Sequence, residues 1–317
     1  RRDADLILVD EVSMLDIYLA GDLFDSVKPG SQLILIGDAD QLPSVGPGAV
    51  LSEMIASGTI PVVKLDKIFR QTAGSRIATN AKLIRHGNMS LEYGSDFQFY
   101  DSASIPKSAE KIVELYLQET AKYGVDNVAL LSPYRQKTET GVNALNELLR
   151  EKINPPAPDK AEVTHGTRKF RCGDKVMQIR NNYDIIWQQP DGTAGTGIFN
   201  GDMGIIEMLD PGSKTIQVRF EEKLATYSFE NQDQLEHAYA VTVHKSQGSE
   251  FEAVVMPLER RHPKLHYRNL LYTAVTRARK LLIMTGQKET VYAMVQNNRR
   301  TLRYTNQKEM LQEMCDE

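Results

Sequence analysis

Two short apolar runs, Leu6-Ile7-Leu8-Val9 and Leu33-Ile34-Leu35-Ile36, each stop on an acidic turn: Asp10-Glu11 after the first, Gly37-Asp38 after the second. Four consecutive apolar residues are too few for a helix and show no polar alternation. They read as strands buried on both faces, the habit of parallel sheets with crossover helices. Helical stretches at about 16–27 and 48–56 alternate with them, and a third strand is expected at Val62–Leu65. In an open sheet of this kind ligands gather outside the carboxyl ends of the strands, so both acidic turns fall on one functional edge. A first strand that starts at residue 6 has nothing before it to pair with, so residue 1 is expected to be a cut and a β-loop-α unit is expected upstream.

A second series follows a helix near Ser75–Ile84: a strand at Phe97–Tyr100, a helix near Ser108–Tyr123, a strand at Val128–Ser132 and a helix near Thr138–Glu151. The run Asn154-Pro155-Pro156-Ala157-Pro158 denies helix and ladder hydrogen bonds and reads as a linker. From there to about Glu236 come short β-rich runs broken by glycine, at 174–180, 204–209, 215–220 and 225–229, a spacing that suggests a small antiparallel barrel. The α/β texture resumes at Ala238–Val243, Ala253–Pro257 and Leu281–Thr285, so the barrel reads as an insertion, and the charged tail after Arg300 reads as a peripheral helix. The expected division is residues 1–88, the later part of a first α/β domain; 89–158, the first part of a second; 159–235, the inserted small β-barrel; and 236–317, the rest of the second with its terminal helix.

At 317 residues both domains can bury a core, and 41% hydrophobic with 25% charged residues fits a water-exposed globular chain. No apolar run approaches the roughly 18–20 residues a membrane span needs, so no membrane partner is expected. Two cysteines, Cys172 and Cys315, imply neither a disulfide framework nor a metal site and suit a reduced, cytoplasmic setting. The net charge of −4 excludes a wholly basic nucleic-acid binder; any strand-binding surface must be a local groove, for which Arg168-Lys169-Arg171 and Arg260-Arg261 are candidates.

The chemistry follows from placement. Asp10 at a strand end offers a hard oxygen ligand to Mg²⁺, and Glu11 beside it can orient or deprotonate a water. The turn Gly37-Asp38-Ala39-Asp40-Gln41 delivers Gln41 to the same edge, a neutral group suited to sensing a γ-phosphate. Arg70, in Phe69-Arg70-Gln71, and Arg277, in Thr276-Arg277-Ala278, are candidates for neutralising charge on a transferred phosphoryl group, a role contributing about 10³ to 10⁵ in rate where it is used. One arginine from each domain would make hydrolysis depend on closure. ATP and Mg²⁺ are therefore the expected cofactors. The sequence contains no G-x-x-x-x-G-K-[ST] phosphate loop, so the chain alone is expected to hydrolyse ATP poorly, and a missing N-terminal region bearing that loop is an expected partner.

Taken together, Val9-Asp10-Glu11-Val12-Ser13, Gly37 through Gly48, Leu65 through Gln71, Leu131-Ser132-Pro133-Tyr134-Arg135-Gln136, Ala240 through Phe251 and Tyr272 through Arg279 resemble motifs II to VI of superfamily 1 helicases, in the RecD-like branch that includes the exonuclease V alpha subunit. The Leu42-Pro43-Ser44-Val45-Gly46-Pro47-Gly48 extension and the form His244-Lys245-Ser246-Gln247-Gly248 favour this branch over the UvrD-like one. The resemblance implies two RecA-like domains, the first incomplete here, with a small β-barrel inserted in the second, and ATP-driven 5′-to-3′ movement on single-stranded DNA in recombination and repair. It implies that Asp10 holds Mg²⁺ and Glu11 serves water, that Gln41 senses the γ-phosphate, that Arg70 and Arg277 are arginine fingers, and that Asp38, Gly248 and Glu250 contact nucleotide. It places Thr242, His244 and Lys245, with Pro133, Tyr134 and Arg135, along the strand groove, where contacts should be sequence-tolerant and salt-dependent. Tyr134 is either a stacking side chain or a packing one, and Trp187, in a segment read as a polar loop, is either a base-stacking element or a partial core anchor. Subunits of a nuclease complex are candidate partners, since no carboxylate cluster of nuclease type occurs outside the ATPase motifs. A related motor on RNA, or a nucleic-acid-binding module without ATPase, are the competing readings.

Overall fold

The computed structural model describes residues 3–65, 74–165, 168–298 and 305–316. Strand β1 (Leu6–Val9) leads through a single 3-10 turn into α1 (Ile17–Ser26), whose first turn is capped by Asp16 Oδ1 accepting from the amides of Tyr18 and Leu19 at 3.0 and 2.9 Å. Strand β2 (Gln32–Leu35) pairs parallel with β1, and α2 (Val50–Ser57) follows. One side of this pair is open, with Leu8 61% exposed. The expected strand at Val62–Leu65 does not form: Val63 is 86% exposed and the segment has no ladder partner among the described residues, without which an apolar run gains nothing from extension.

The next elements are α3 (Arg76–Arg85), β3 (Phe97–Asp101), α4 (Ile105–Tyr123), β4 (Val128–Ser132) and α5 (Val142–Ile153). An antiparallel hairpin, β5 (Glu162–His165) with β6 (Arg168–Arg171), opens the insertion. Seven strands then make one sheet: β7 (Lys175–Gln178), β8 (Asn182–Gln188), β9 (Ala194–Ile198), β10 (Met203–Asp210), β11 (Thr215–Phe220), β12 (Lys223–Ser228) and β13 (Leu235–His237), in the order β13-β7-β10-β11-β12-β8-β9 with every pairing antiparallel. The chain returns through β14 (Ala240–Thr242), β15 (Phe251–Leu258), α6 (Arg268–Thr276), β16 (Ala278–Gly286) and α7 (Lys288–Gln296), and ends in α8 (Gln307–Asp316), which packs against α2.

The second domain is a five-stranded parallel sheet, β14-β4-β15-β16-β3, buried on both faces. Alternation assigns the faces. Ala129, Leu131, Val254, Met256, Leu282 and Met284 point to one core with α3, α6 and α7; Val128, Leu130, Ala253, Val255, Leu281 and Ile283 point to the other with α4 and α5. The buried side of α3, Ile77, Ala81 and Ile84, belongs to the first of these cores, although sequence texture groups it with residues 1–88. The insertion has its own core around Phe170, Ile206, Val218 and Tyr227.

The junction between insertion and sheet is a fully buried carboxylate. Asp174 Oδ2 accepts from Arg150 Nε at 2.9 Å and from the Arg171 amide at 2.8 Å, while Oδ1 accepts from Asn154 Nδ2 at 2.8 Å. A buried charge persists only when paired and hydrogen-bonded in this way, and His237 and Arg150 help to hold Asp174 below the usual carboxylate range against its burial. Trp187 lies on β8, not in a loop, stacked over Gly195 and packed against the insertion core, so the anchor reading fits its surroundings.

Candidate functional site

Backbone hydrogen bonds gather the two carboxyl strand ends: the Ile36 amide donates to Val9 O at 2.8 Å and the Val12 amide to Ile36 O at 2.9 Å. Asp10 is exposed at this edge, with Oδ1 accepting from the Glu11 amide at 2.7 Å. Glu11 itself sits at φ 54°, ψ 36°, a left-handed conformation that costs a non-glycine residue about 1–3 kcal/mol. Gly37 is required by close approach, because a Cβ there would meet the Ser13 and Val12 amides at 3.0 and 3.2 Å. Chain ends and glycine thus bring Asp10, Glu11 and the Asp38–Gln41 turn to one rim.

Asp38 is committed internally. Oδ1 accepts from the Asp40 amide at 2.9 Å, closing the turn, and Oδ2 accepts from the Tyr272 hydroxyl at 2.8 Å, so a nucleotide contact through Asp38 would use the remaining lone pairs of a carboxylate already fixed in place. Gln41 is buried, and its side-chain oxygen has no hydrogen-bond partner among the described residues; the same holds for Ser13 Oγ. A buried unpaired acceptor is costly, and a pair of them on one rim suits a site that completes its bonds with a ligand.

The turn is then gripped across the cleft. Helix α6 presents Asn269, Tyr272 and Thr273 on one face, the i, i+3, i+4 spacing that aligns side chains. Asn269 Nδ2 donates to Gln41 O at 3.2 Å, Thr273 Oγ1 accepts from the Leu42 amide at 2.9 Å, and Gln247 Nε2 donates to Leu42 O at 2.8 Å. Leu42 is 0% exposed and plugs into the core of the second domain. Arg277 caps the same helix at 1% exposure, with Nη1 donating to Ser249 O at 3.1 Å. Gly248 takes a left-handed φ of 78° at the turn before it, and Glu250 lies 3.9 Å from Arg279 Nε. Arg70 lies outside the described residues.

A cavity of about 300 Å³ opens beside this clasp, lined by Ser13, Gln41, Pro43, Val45, His244 and Tyr267 among others. Burial lowers the His244 pKa below the ordinary imidazole value, so the ring is neutral near pH 7. Thr242 Oγ1 accepts from the Lys245 amide at 3.4 Å, setting the turn that carries both residues. Pro133 is buried and Arg135 exposed. Tyr134 is 1% exposed, and its hydroxyl donates to Glu259 O while lying 3.0 Å from His266 Nε2; it is a packing residue, and the stacking alternative is corrected by that burial. Sequence reasoning gave no role to Asn269, Tyr272, Thr273, Gln247 or Glu236. Their signal was available in part, since Tyr272-Thr273 stand three and four residues after Asn269 on an amphipathic helix that ends at Arg277.

Three family models match: an AAA domain over residues 1–106, the ATP-dependent RecD-like DNA helicase SH3 domain over 145–220 and a UvrD-like helicase C-terminal domain over 237–285. The chain is 32% identical over 282 residues to the ATP-dependent RecD2 DNA helicase of Deinococcus radiodurans, covering 89% of this chain and 36% of that protein. It is 30% identical over 313 residues to the RecBCD enzyme subunit RecD of Mycobacterium tuberculosis, covering 92% of this chain and 51% of that one. It thus spans between about a third and about half of the length of these relatives. Among solved structures it resembles a Bacteroides Pif1 helicase in complex with ADP-AlF3 and ssDNA (TM-score 0.51, 18% identity, 96% of this chain and 72% of that one) and Candida albicans Pif1 helicase (TM-score 0.52, 17% identity, 99% and 77%). At these identities the structural likeness concerns the fold.

Proposed function

We propose, from the premise that the chain belongs to the RecD-like superfamily 1 helicases, that it supplies the closing half of an ATP-driven translocase on single-stranded DNA. The observation that carries this reading is the clasp: the helix that ends at Arg277 also holds, through Asn269, Tyr272 and Thr273, the turn that bears Gln41. A displacement of Gln41 by a γ-phosphate would reach Arg277 and the His244 cavity through one rigid element. Linking a phosphate sensor to a strand groove in this way is what converts hydrolysis into movement.

In this reading Asp10 holds Mg²⁺, which when bound with ATP neutralises charge on the phosphates; a single protein carboxylate with phosphate oxygens is an ordinary Mg²⁺ ligand set. Glu11 orients the attacking water, and the buried Gln41 side chain reports on the γ-phosphate. Arg70 and Arg277 serve the transferred group, and Gly248 and Glu250 shape the nucleotide side of the cleft. Thr242, His244, Lys245 and Arg135 follow the strand. Travel in the 5′-to-3′ direction, a place in DNA recombination and repair in the cytoplasm, and assembly with nuclease subunits complete the proposal. Holding the phosphates needs a loop that these 317 residues do not contain, so hydrolysis is assigned to this chain together with such a loop.

The test is ATP hydrolysis with and without oligo-dT, on this chain and on a product of its reading frame that carries a phosphate loop. Hydrolysis by the longer product alone, stimulated by DNA, supports the motor. DNA binding by both with hydrolysis by neither replaces it with a binding module, and stimulation by RNA over DNA replaces the substrate.

A further inference from the structure

The sheet of the insertion ends at β9, which pairs with β8 and with no other strand among the described residues. Edge strands are ordinarily guarded by charges, by proline or by shortness, because their outer N–H and C=O groups are a template for another chain. The opposite edge, β13, is three residues long and runs on towards β14. The five residues of β9, Ala194-Gly195-Thr196-Gly197-Ile198, carry neither charge nor proline. Its outward groups can be assigned. The Gln189 amide donates to Thr193 O at 2.8 Å, which makes that pair a hydrogen-bonded one. Such pairs alternate along an antiparallel ladder, so Ala194 opposite Gln188 and Thr196 opposite Ile186 turn their own N–H and C=O away from β8.

Beside this edge lies an apolar surface outside the insertion core. Ile185 and Ile198 point into that core, whereas Ile186 is 62% exposed on the other face with Thr196 across from it. On the bulged stretch of β8, Tyr183 is 66% exposed, its ring against that of Phe199 at 5.5 Å and 71°. The charge along the hairpin is negative: Asp184 on β8, Asp191 in the turn and Asp202 just past β9. The cations Lys223 and Arg180 of the flanking segments are engaged, Lys223 over the Trp187 ring at 5.0 Å and Arg180 with Asp233 at 3.1 Å.

We propose that this edge takes a protein partner: an extended polypeptide segment that adds to β9 as a further strand, with apolar side chains over Ile186 and Tyr183 and basic side chains facing the aspartates. The outward ladder groups call for a backbone, since strand addition draws affinity from main-chain hydrogen bonds and specificity from alternate side chains. The aspartates argue against the other occupant that exposed aromatic rings would suit, because a nucleic-acid strand would bring its phosphates against Asp184 and Asp202. The surface belongs to the insertion alone, and the inference goes beyond the motor reading without depending on it.

The experiment is a fluorescence-anisotropy titration of the full chain against a labelled peptide of alternating valine and lysine, about seven residues long to overlap β9, and against the same peptide N-methylated on the amides that would face β9. The plain peptide should saturate, and N-methylation should weaken it about tenfold, the effect of losing roughly two ladder bonds. Thr196→Pro, which blocks the outward edge and spares the groups that pair with β8, should cause a similar loss with an unchanged melting temperature. The N-methyl comparison uses the unaltered protein, so it holds whether or not the variant folds. Equal binding of the plain and N-methylated peptides would show charge attraction without a ladder and overturn the proposal, as would the absence of saturation up to about 1 mM. A loss of oligo-dT affinity in Tyr183→Ser, with peptide binding unchanged, would make the surface a nucleic-acid contact and overturn it as well.

Discussion

Tyr272 reaches from helix α6 across the cleft and donates its hydroxyl hydrogen to Asp38 Oδ2 at 2.8 Å, while the other oxygen of Asp38 holds the amide of Asp40. One carboxylate therefore closes the turn that carries Gln41 and ties that turn to the opposite side. Burial and the neighbouring Asp38 both push the Tyr272 pKa above the ordinary phenol value, so the hydroxyl keeps its hydrogen and stays a donor throughout the neutral range.

Loosening the clasp should uncouple the two sides without dismantling either. Thr273→Val keeps the shape of a fully buried side chain and deprives the Leu42 amide of its acceptor; Tyr272→Phe removes the bond to Asp38. Each should cost about 1–3 kcal/mol. Hydrogen exchange at the Leu42 amide should accelerate in Thr273→Val while the amides of β15 and β16 stay protected. Equal acceleration across the whole second domain would show global destabilisation in place of a local release.

Lys175 carries a pH dependence of definite sign. It lies in the junction below the insertion, with Nζ donating to Val125 O at 2.6 Å, and burial pushes its pKa from 10.5 down to about 8. Between about 8 and 10.5 the unfolded chain holds a proton that the folded one has released, so stability should rise with pH in that window. Tyr116, Tyr134 and Tyr239, whose pKa values burial raises above 10.0, act in the opposite sense once pH passes that value. Chemical denaturation from pH 7.5 to 9.5 should show the rise in the native protein and lose it in Lys175→Met. A flat profile in both would place the proton on Lys175 throughout.

Two glycines near strand and helix ends should respond very differently to alanine. A Cβ at Gly286, where φ is 124°, would stand 2.0 Å from Leu258 O, a backbone atom of the neighbouring strand at the carboxyl end of the parallel sheet, which no side-chain rotation can clear. Gly286→Ala should cost roughly 2–4 kcal/mol. At Gly46 the obstruction is the Asp16 side chain, its carboxylate 2.1 Å and its Cβ 2.8 Å away: rotation clears the carboxylate, and the loop that carries Gly46 must also shift by a few tenths of an ångström to clear the Cβ. The loss there is the helix cap, about 1 kcal/mol. Thermal melts of both variants test the ordering.

Much of this architecture was legible because the second domain obeys one rule along every strand: unbroken apolar runs such as Val128–Leu131 and Val254–Met256 have no polar face to misplace. The insertion was half legible. Thr215–Phe220 alternates cleanly, whereas Asn182–Gln188 mixes asparagine, aspartate and glutamine with its apolar residues and passed for a loop, although Pro190-Asp191-Gly192 marked the hairpin turn. Val62–Leu65 misled in the other direction, since apolar content announces a strand only if a neighbour supplies the ladder. Within the site, Asp10, Glu11 and Gln41 were placed by strand ends, which periodicity reveals. The clasp was not, because Asn269 and Gln247 bind backbone atoms of Gln41 and Leu42 more than two hundred positions away, a relationship that no local pattern encodes.

Glu11 makes the sharpest test of the chemistry, because its backbone and its carboxylate ask for different residues. The left-handed conformation at φ 54° would be relieved by glycine or asparagine, so a residue kept only for the turn has no reason to be glutamate. Glu11→Gln preserves shape and strain and removes only the charge; Glu11→Gly removes both the carboxylate and the strain. In a hydrolysing form of the protein, Glu11→Gln should lower kcat by about 10² to 10⁴ with little change in KM for ATP. Glu11→Gly should lose as much activity while melting no lower than the unaltered protein, since the relief of strain offsets the entropy glycine adds to the unfolded chain. Retention of kcat by Glu11→Gly would show that the carboxylate does nothing for the water, and the base would then have to be sought among the other groups on the rim that Asp10 and Gln41 share.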